Sequence, residues 1–258
     1  MNIFSGFITS RIVATVSALV VIAIGCAAGI WQLNRAEQKI QLGNSLAARQ
    51  QMSILNANSG HLTLEDAKER RIVARGRFLP GEAIWLDNRP RPVPEGGQGN
   101  AAQSGFFVMM PLKLDGQKTI LWVNRGWAPR NNLNRIDLPA INTESQVIEI
   151  EGVAFAHPGK VFELGQKGSP DIRPRIEQNF DLVAEAKNHQ WEQLPFIVRE
   201  IDPNKKDGLV REWPLPTNGV DRHYAYSFQW FALALCGFLF WLVSGFMGYR
   251  HLRKNFGD

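Results

Sequence analysis

Two stretches of this chain carry no charge over lengths that match a lipid bilayer, and they limit the fold more than any other feature. Residues 12–33 run for 22 positions, and residues 228–246 for 19, without Asp, Glu, Lys or Arg. Crossing roughly 30 Å of hydrocarbon takes about 20 predominantly apolar residues in an α-helix. The helix is the form in which such a segment pairs its own backbone polar groups. Each stretch has an alternative. The first could be a cleaved signal peptide with Arg11 as its basic front end, but its apolar core exceeds the roughly 7–15 residues usual there. Gly25-Cys26 also resembles the end of a lipoprotein signal, although Ala23 stands where a larger aliphatic is usual and the apolar run continues past Cys26. The second could be a buried helix of a soluble domain, but a terminal helix apolar on every face is hard to cover that way. The expectation is two uncleaved spans.

This divides the chain into a head, residues 1–11; a first transmembrane helix, 12–33; a β-rich domain, 34–226; a second transmembrane helix, 227–247; and a basic tail, 248–258. The tail carries Arg250, Arg253 and Lys254 against Asp258, and the head carries Arg11. The positive-inside rule puts both termini in the cytoplasm and the domain outside. The first ten residues contain no Arg or Lys, unlike the Arg-rich presequence of a mitochondrial precursor. The expected location is therefore a bacterial inner membrane. Of the formal charge of +5, only +2 belongs to the segment between head and tail, which holds 25 basic and 23 acidic residues. The basic pI thus reflects topology and attraction to lipid headgroups, not nucleic-acid binding. Both cysteines, Cys26 and Cys236, fall in the spans. The domain can hold no disulfide, thiolate metal site or covalent c-type heme, and its core must stand alone.

The expected fold class is α+β: two transmembrane helices flanking a mostly antiparallel β extracytoplasmic domain. Residues 35–51, rich in Ala, Gln and Leu, read as a continuation of the first helix or an exit along the surface. Thr63, three residues before Asp66, reads as a helix cap. Arg71 to Phe78 alternates as a half-exposed strand, with Ile72, Ala74 and Phe78 on one face. Ile84 to Leu86 is expected to pair with it across Pro80-Gly81. Pro90 to Ser104 reads as a polar loop. Phe106–Leu114 and Thr119–Val123 flank Asp115-Gly116, a strong hairpin signal, and Asn124 to Asn132 is expected to be a turn region. Val147–Ala154 reads as a strand and Asn179–Lys187 as a short helix. Phe196–Ile201 is expected to pair with Leu209–Trp213 across the turn-rich Asp202–Gly208.

No enzyme motif appears. The five histidines form neither HExxH nor any short pair, no serine sits in a GxSxG elbow, and there is no dinucleotide or phosphate-loop fingerprint. Two stretches invite a functional reading. His223 lies at the outer mouth of the second span with Tyr224, Tyr226, Phe228 and Trp230 around it. An aromatic belt at headgroup depth explains that cluster without a ligand; the alternative is an axial ligand to heme iron with aromatic walls. At the other mouth stand Trp31 and Arg35, again either interfacial residues or cofactor contacts. In the domain, Asn124-Arg125-Gly126-Trp127 closes a strong strand, as a structural corner or as a partner-binding corner.

Four segments in order resemble the surfeit-locus family of cytochrome c oxidase assembly factors. They are Gly29-x-Trp31-Gln32-Leu33-x-Arg35-Ala36-x-x-Lys39; Arg70-Arg71 through Gly76-x-Phe78, followed by Asp87-Asn88-Arg89; Gly105-Phe106 through Pro111, followed by Leu121-Trp122-Val123-Asn124-Arg125-Gly126-Trp127-Ala128-Pro129; and His223-Tyr224-Ala225-Tyr226 leading into Gln229-Trp230-Phe231. The resemblance spans roughly residues 27–245, with the Pro90–Gln103 loop a departure in length and composition. It implies a non-enzymatic assembly factor that assists insertion or stabilisation of heme a in subunit I of cytochrome c oxidase, taking the cofactor from heme A synthase. By that resemblance His223 is the family's histidine at the second span and Trp31 its aromatic after the first span; the reading of the two mouths adds Tyr224, Trp230 and Arg35 as expected heme contacts, Arg35 toward a propionate. A membrane-anchored scaffold that holds an oxidase subunit without touching heme is the alternative. Gly25, Gly29, Gly237 and Gly245 are expected to let the two spans pack closely.

Overall fold

The alternation of apolar and polar residues read in the sequence becomes a small closed barrel in the computed structural model, which describes residues 12–93, 103–131, 133, 134, 137–162, 174–214, 217 and 219–255. The chain divides into two compact units, one of Met1–Gly43 with Pro216–Asp258 and one of Asn44–Leu215.

In the first unit, helix α1 covers Ile12–Gln51 and the last helix, α4, covers Val220–Asn255. Both outrun their charge-free segments. At 1.5 Å per residue, the 40 residues of α1 exceed the hydrocarbon thickness, so its charged end, Arg35–Gln51, continues as helix beyond the apolar part. In each helix only 11% of the most apolar window is buried. A core helix of a soluble protein hides such a surface; these two leave it open, which fits a membrane protein. The compact β unit is accordingly narrower than 34–226, because helix occupies both of its expected edges.

The two helices are antiparallel and meet along one seam. Trp241 Nε1 donates to Thr15 Oγ1 at 3.0 Å and Ser227 Oγ donates to the Gly29 carbonyl at 3.0 Å. Gly25, Gly29 and Gly237 lie on this seam. A methyl on Gly25 would sit 2.9 Å from Ala234 Cβ, one on Gly29 2.7–2.9 Å from the Phe231 ring, and one on Gly237 3.3 Å from Val21. Small residues here permit backbone approach in a setting where lipid gives no hydrophobic drive for association.

In the second unit the strands are β1 (Leu55–Asn56), β2 (Arg71–Phe78), β3 (Ile84–Pro90), β4 (Ser104–Leu114), β5 (Ile120–Pro129), β6 (Ile148–Phe155), β7 (Arg175–Glu177) and β8 (Gln193–Glu200), with short helices α2 (Leu64–Ala67) and α3 (Leu182–His189). Thr63 caps α2, its hydroxyl accepting from Asp66 N at 3.2 Å. Strands pair in the order β2–β6–β8–β5–β4, and β4 returns to β2 through Gly76–Phe78 against Leu112–Leu114, closing a five-stranded ring. Full closure removes the edges that an open sheet would expose. The first half of the 11-residue β4 is too far along to reach β2, so it pairs instead with β3, which carries β7 on its other side. Antiparallel pairings dominate; β1–β2, β3–β7 and β5–β8 are parallel.

Inward-facing positions follow the period-2 rule. Ile72, Ala74 and Phe78 of β2 meet Val108, Met110 and Leu112 of β4, Leu121 and Val123 of β5, Ile150 and Ala154 of β6, and Phe196 and Val198 of β8. A second core lies where the opposite faces of β3, β4, β5 and β8 are covered by the segment around α3: Ile84, Leu86, Met109, Ile120, Trp122 and Ile197 pack with Phe180, with Leu182 alongside. Asp181 caps α3 by accepting from Val183 N and Ala184 N, and Arg175 of β7 ties the helix down through Glu185 at 2.7 and 2.8 Å.

The hairpin at Asp115-Gly116 is present, with Gly116 at φ 74°. Three expected pairings change. Ile84–Leu86 pairs with β4 and β7, not with β2, because the one-turn helix Pro80–Glu82 turns the chain away from β2. Asn124–Pro129 is not a turn region but the second half of β5, still paired with β4. Phe196–Glu200 pairs with β5 and β6; of the Leu209–Trp213 stretch only Val210 makes a bridge, to Trp127. The Pro90–Ser104 loop falls largely outside the described residues. Its ends are zipped, Pro90 opposite Ser104 and Arg91 N donating to Gln103 O at 2.9 Å.

Candidate functional site

His223 sits in the first turn of α4, and its Nδ1 lies 2.7 Å from Gln32 Oε1 of α1. Because an amide oxygen only accepts, this contact is a hydrogen bond in the tautomer whose proton is on Nδ1. The lone pair is then on Nε2. A hydrogen bond from one ring nitrogen to an oxygen acceptor fixes the tautomer and the ring orientation of a metal-binding imidazole and raises the basicity of the other nitrogen. The ring is half-buried and held by a neighbouring helix. Gln32 stands in the Trp31-Gln32-Leu33 run, but only the packing of α1 on α4 reveals it as the partner of His223.

The flanking candidates are less constrained. Trp31 is 54% exposed, Tyr224 46% and Trp230 36%, so large aromatic faces are turned outward. The Arg35 guanidinium lies 5.8 Å from the Trp31 ring centroid and donates to Gln38 Oε1 at 2.9 Å. The two helices thus carry one imidazole held by Gln32, three exposed aromatics and the Arg35 cation; of these groups, among the described residues, only His223 and Gln32 are joined across the helices by a hydrogen bond. Such a set suits a flat amphiphilic molecule that offers a metal to the imidazole and an acid to the cation. Among the described residues no three His, Cys, Asp or Glu side chains converge on a metal position. The arrangement can supply one axial nitrogen, not a multi-ligand metal cage.

Asn124, Arg125, Gly126 and Trp127 are buried within the β unit. Asn124, Arg125 and Trp127 are 1%, 1% and 2% exposed. Between Phe107–Trp127 and Met109–Asn124, one residue of β4 opposes two of β5, a β-bulge built on Gly126 at φ 143°. Asn124 Oδ1 accepts from Gly126 N at 3.2 Å and stabilises the kink. The bulge turns Arg125 into the barrel, where it donates to Asp207 Oδ2 at 2.8 Å and Thr143 Oγ1 at 2.5 Å and lies over the Phe78 ring. Asp207 also binds Arg211, and Arg211 reaches Glu200 at 3.1 Å. Burial depresses the Arg125 guanidinium, opposed by the charges of Asp207 and Glu200. Burial alone would raise the Asp207 carboxyl, but the hydrogen bond from Arg211 and the charges of Arg211 and Arg125 outweigh it and hold it below the ordinary carboxylate range. Trp127 Nε1 donates to the Arg89 carbonyl at 3.0 Å. The Arg125 guanidinium ends, the Asn124 amide oxygen and the Trp127 indole N–H are engaged within the fold, while Arg125 Nε is buried without a partner. The sequence signal for this role was Gly126; Asp207, Glu200 and Arg211 lie about 75–85 residues away and gave no signal of their own.

A barrel of five antiparallel-dominated strands, entered and left through two long apolar helices that pair with each other, defines a membrane-anchored β-barrel protein. The SURF1 family profile matches residues 19–235, most of the chain, including most of α1 and the first part of α4. This chain belongs to the SURF1 family. It is 31% identical over 221 residues to surfeit locus protein 1 of Arabidopsis thaliana, a match covering 81% of this chain but 54% of that protein, so the chain spans about half its length. It is 24% identical to surfeit locus protein 1 of Rattus norvegicus, covering 83% of this chain and 69% of that protein, and 24% identical to a SURF1-like protein of Drosophila melanogaster, covering 88% and 73%.

Proposed function

We propose that this protein assists the assembly of cytochrome c oxidase by receiving heme a at the His223 mouth of its helix pair and presenting it to subunit I, with heme A synthase as the donor. Membership of the SURF1 family supports the setting. The single observation that carries the heme reading is His223 Nδ1 held by Gln32 Oε1 at 2.7 Å, which leaves Nε2 as the nitrogen for a ligand bond. Heme a is the cargo. Its iron takes the imidazole, its farnesyl tail prefers the apolar faces of α1 and α4, and its propionates prefer the water-facing end, where Arg35 stands. Trp31, Tyr224 and Trp230 supply aromatic contact area. A single protein ligand suits temporary custody, because a cargo that must be released cannot be locked into a closed coordination shell.

The same reading places the chain in a bacterial inner membrane with both termini cytoplasmic and the barrel outside, where the heme-bearing side of subunit I is reached. Lipid, donor enzyme and oxidase subunit are the expected partners. The test is the heme spectrum of detergent-purified protein co-expressed with heme A synthase. A low-spin heme is expected in the wild type, with occupancy lost or strongly reduced in His223→Ala. Gln32→Leu should retain heme at reduced occupancy, because the ring loses its orientation but not its ligand atom. Unchanged occupancy and spectrum in His223→Ala would remove His223 as ligand, and co-purification with subunit I in cells lacking heme a would then favour the scaffold role. A reporter fused after Phe256 is expected to be active on the cytoplasmic side only.

A further inference from the structure

Among the arginines of the barrel unit, Arg199 of β8 stands out by its company. Its guanidinium carbon lies 4.4 Å from the Phe155 ring centroid and 4.8 Å from that of Trp213. Among the described residues no carboxylate pairs with it; its Nε is buried without a hydrogen-bond partner, as are those of Arg89, Arg125, Arg175 and Arg211, so what sets it apart is the lack of any oxygen partner among the described residues. The other deeply placed arginines behave differently. Arg125 and Arg211 share Asp207, Arg175 has Glu185, and Arg89 donates to the Gln178 and Gly159 carbonyls. Burial without an opposing acid pushes the Arg199 guanidinium down to about 10, still protonated at neutral pH.

Arg199 borders a cleft of about 380 Å³, whose wall includes Phe107, Phe155, Trp213, Arg91 and His157. This lies within the range of small organic ligand sites. Two cations face the space, and no acid lines it among the described residues. The second, Arg91, lies over the Trp127 ring, also with its Nε buried and unbonded. The walls are held firmly. Trp213 Nε1 donates to the Glu200 carbonyl at 2.8 Å, and Phe107 meets Trp213 edge-on at 5.4 Å. A half-desolvated cation without a counter-charge costs stability, and a guanidinium fork matches two oxygens of a carboxylate or phosphate.

We propose that this cleft is a binding site for a small organic oxyanion, a carboxylate or phosphate monoester with a compact apolar body. The oxygens take Arg199 and Arg91, and the body packs on Phe107, Phe155 and Trp213. The proposal does not depend on heme handling.

Calorimetry on the full chain in a non-ionic detergent tests this with phenyl phosphate, benzoate, inorganic phosphate and neutral benzamide, and with dibutyryl phosphatidic acid to set a soluble ester against a lipid headgroup. Saturable one-to-one binding of phenyl phosphate or benzoate is expected, at least tenfold tighter than benzamide. Whichever of phenyl phosphate and the phosphatidic acid binds tighter identifies the source. Arg199→Gln should weaken either anion at least tenfold while melting no lower than the wild type, since it removes an unpaired buried charge. Trp213→Leu should weaken phenyl phosphate and leave inorganic phosphate unchanged, which keeps the test decisive if Arg199→Gln folds poorly. Absence of saturable binding by every anion, or equal affinity in a folded Arg199→Gln protein, overturns the proposal.

Discussion

Replacing Asp207 with asparagine removes the acid that is hydrogen-bonded to both Arg125 and Arg211. The side chains of Arg125, Arg211 and Asp207 are 1%, 1% and 4% exposed, so water can replace little of what is lost. Glu200 remains, but it already serves Arg211 and Lys205. In the variant three cations share one acid inside the barrel. Breaking a buried pair by neutralising one partner costs about 3–5 kcal/mol. For a unit of this size each kcal/mol moves the melting point by roughly 2–4 °C, so the expected fall is about 6–20 °C. The assay is tryptophan-monitored melting of the full chain in detergent at pH 7, with Glu151→Gln as control. Glu151 pairs with Arg71, but these side chains are 36% and 41% exposed, and such surface pairs contribute about 0–1 kcal/mol. The pH dependence has a definite sign. Asp207 is depressed in the folded state, so its contribution is complete above the ordinary unfolded value of about 3.9 and is lost as pH falls through the lower folded value. The gap between wild type and Asp207→Asn should therefore persist from pH 7 to about 5 and close below about pH 4. An Asp207→Asn protein that melts no lower than the Glu151→Gln control, or a gap that widens in acid, would refute the account of the barrel interior.

Three further outcomes follow from individual contacts. Gly29→Leu would drive its side chain into the Phe231 ring, already 2.7–2.9 Å from a bare Cβ; spin labels at Arg35→Cys and Asp221→Cys, with Cys26 and Cys236 replaced by alanine, should report a longer interhelical distance. Gly126→Ala combines a φ of 143° with a Cβ 2.9 Å from Leu209 Cβ, adding about 1–3 kcal/mol of backbone strain to about 1–3 kcal/mol of overpacking, and should lower the melting point more than Gly116→Ala, whose Cβ meets open space. Asp181→Ala removes the acceptor for Val183 N and Ala184 N and should cost about 1 kcal/mol, read as a melting shift of a few degrees without change in the heme spectrum.

Much of the architecture was legible because it depends on neighbours in sequence. Charge-free length marks a span wherever it occurs, alternation marks β2 and β6, an Asp-Gly pair at the head of a tight loop marks the β4–β5 hairpin, and Thr63 before Asp66 marks a cap. Each is decided within about ten residues by chirality, hydrogen bonding and hydropathy. The seam glycines Gly25, Gly29 and Gly237 were legible too, since small residues inside spans have one common use.

The remainder was decided by pairings that bring distant segments together. Sequence gave no reason for β3 to leave β2 for β4, or for β8 to lie between β5 and β6; the closed ring selects both, because every strand edge must find a partner. Arg125 could be read as a surface corner until the bulge at Gly126 turned it toward Asp207, 82 residues away. Gln32 became the orienting partner of His223 only across 191 residues of chain. Local composition determined that this protein has two membrane-length helices and a strand-rich body between them. Tertiary structure alone decided which of its many arginines are neutralised within the fold, which are left facing a cleft, and which side chain of the first helix holds His223, since charge compensation and side-chain partnership are set by the atoms that packing brings within hydrogen-bonding reach.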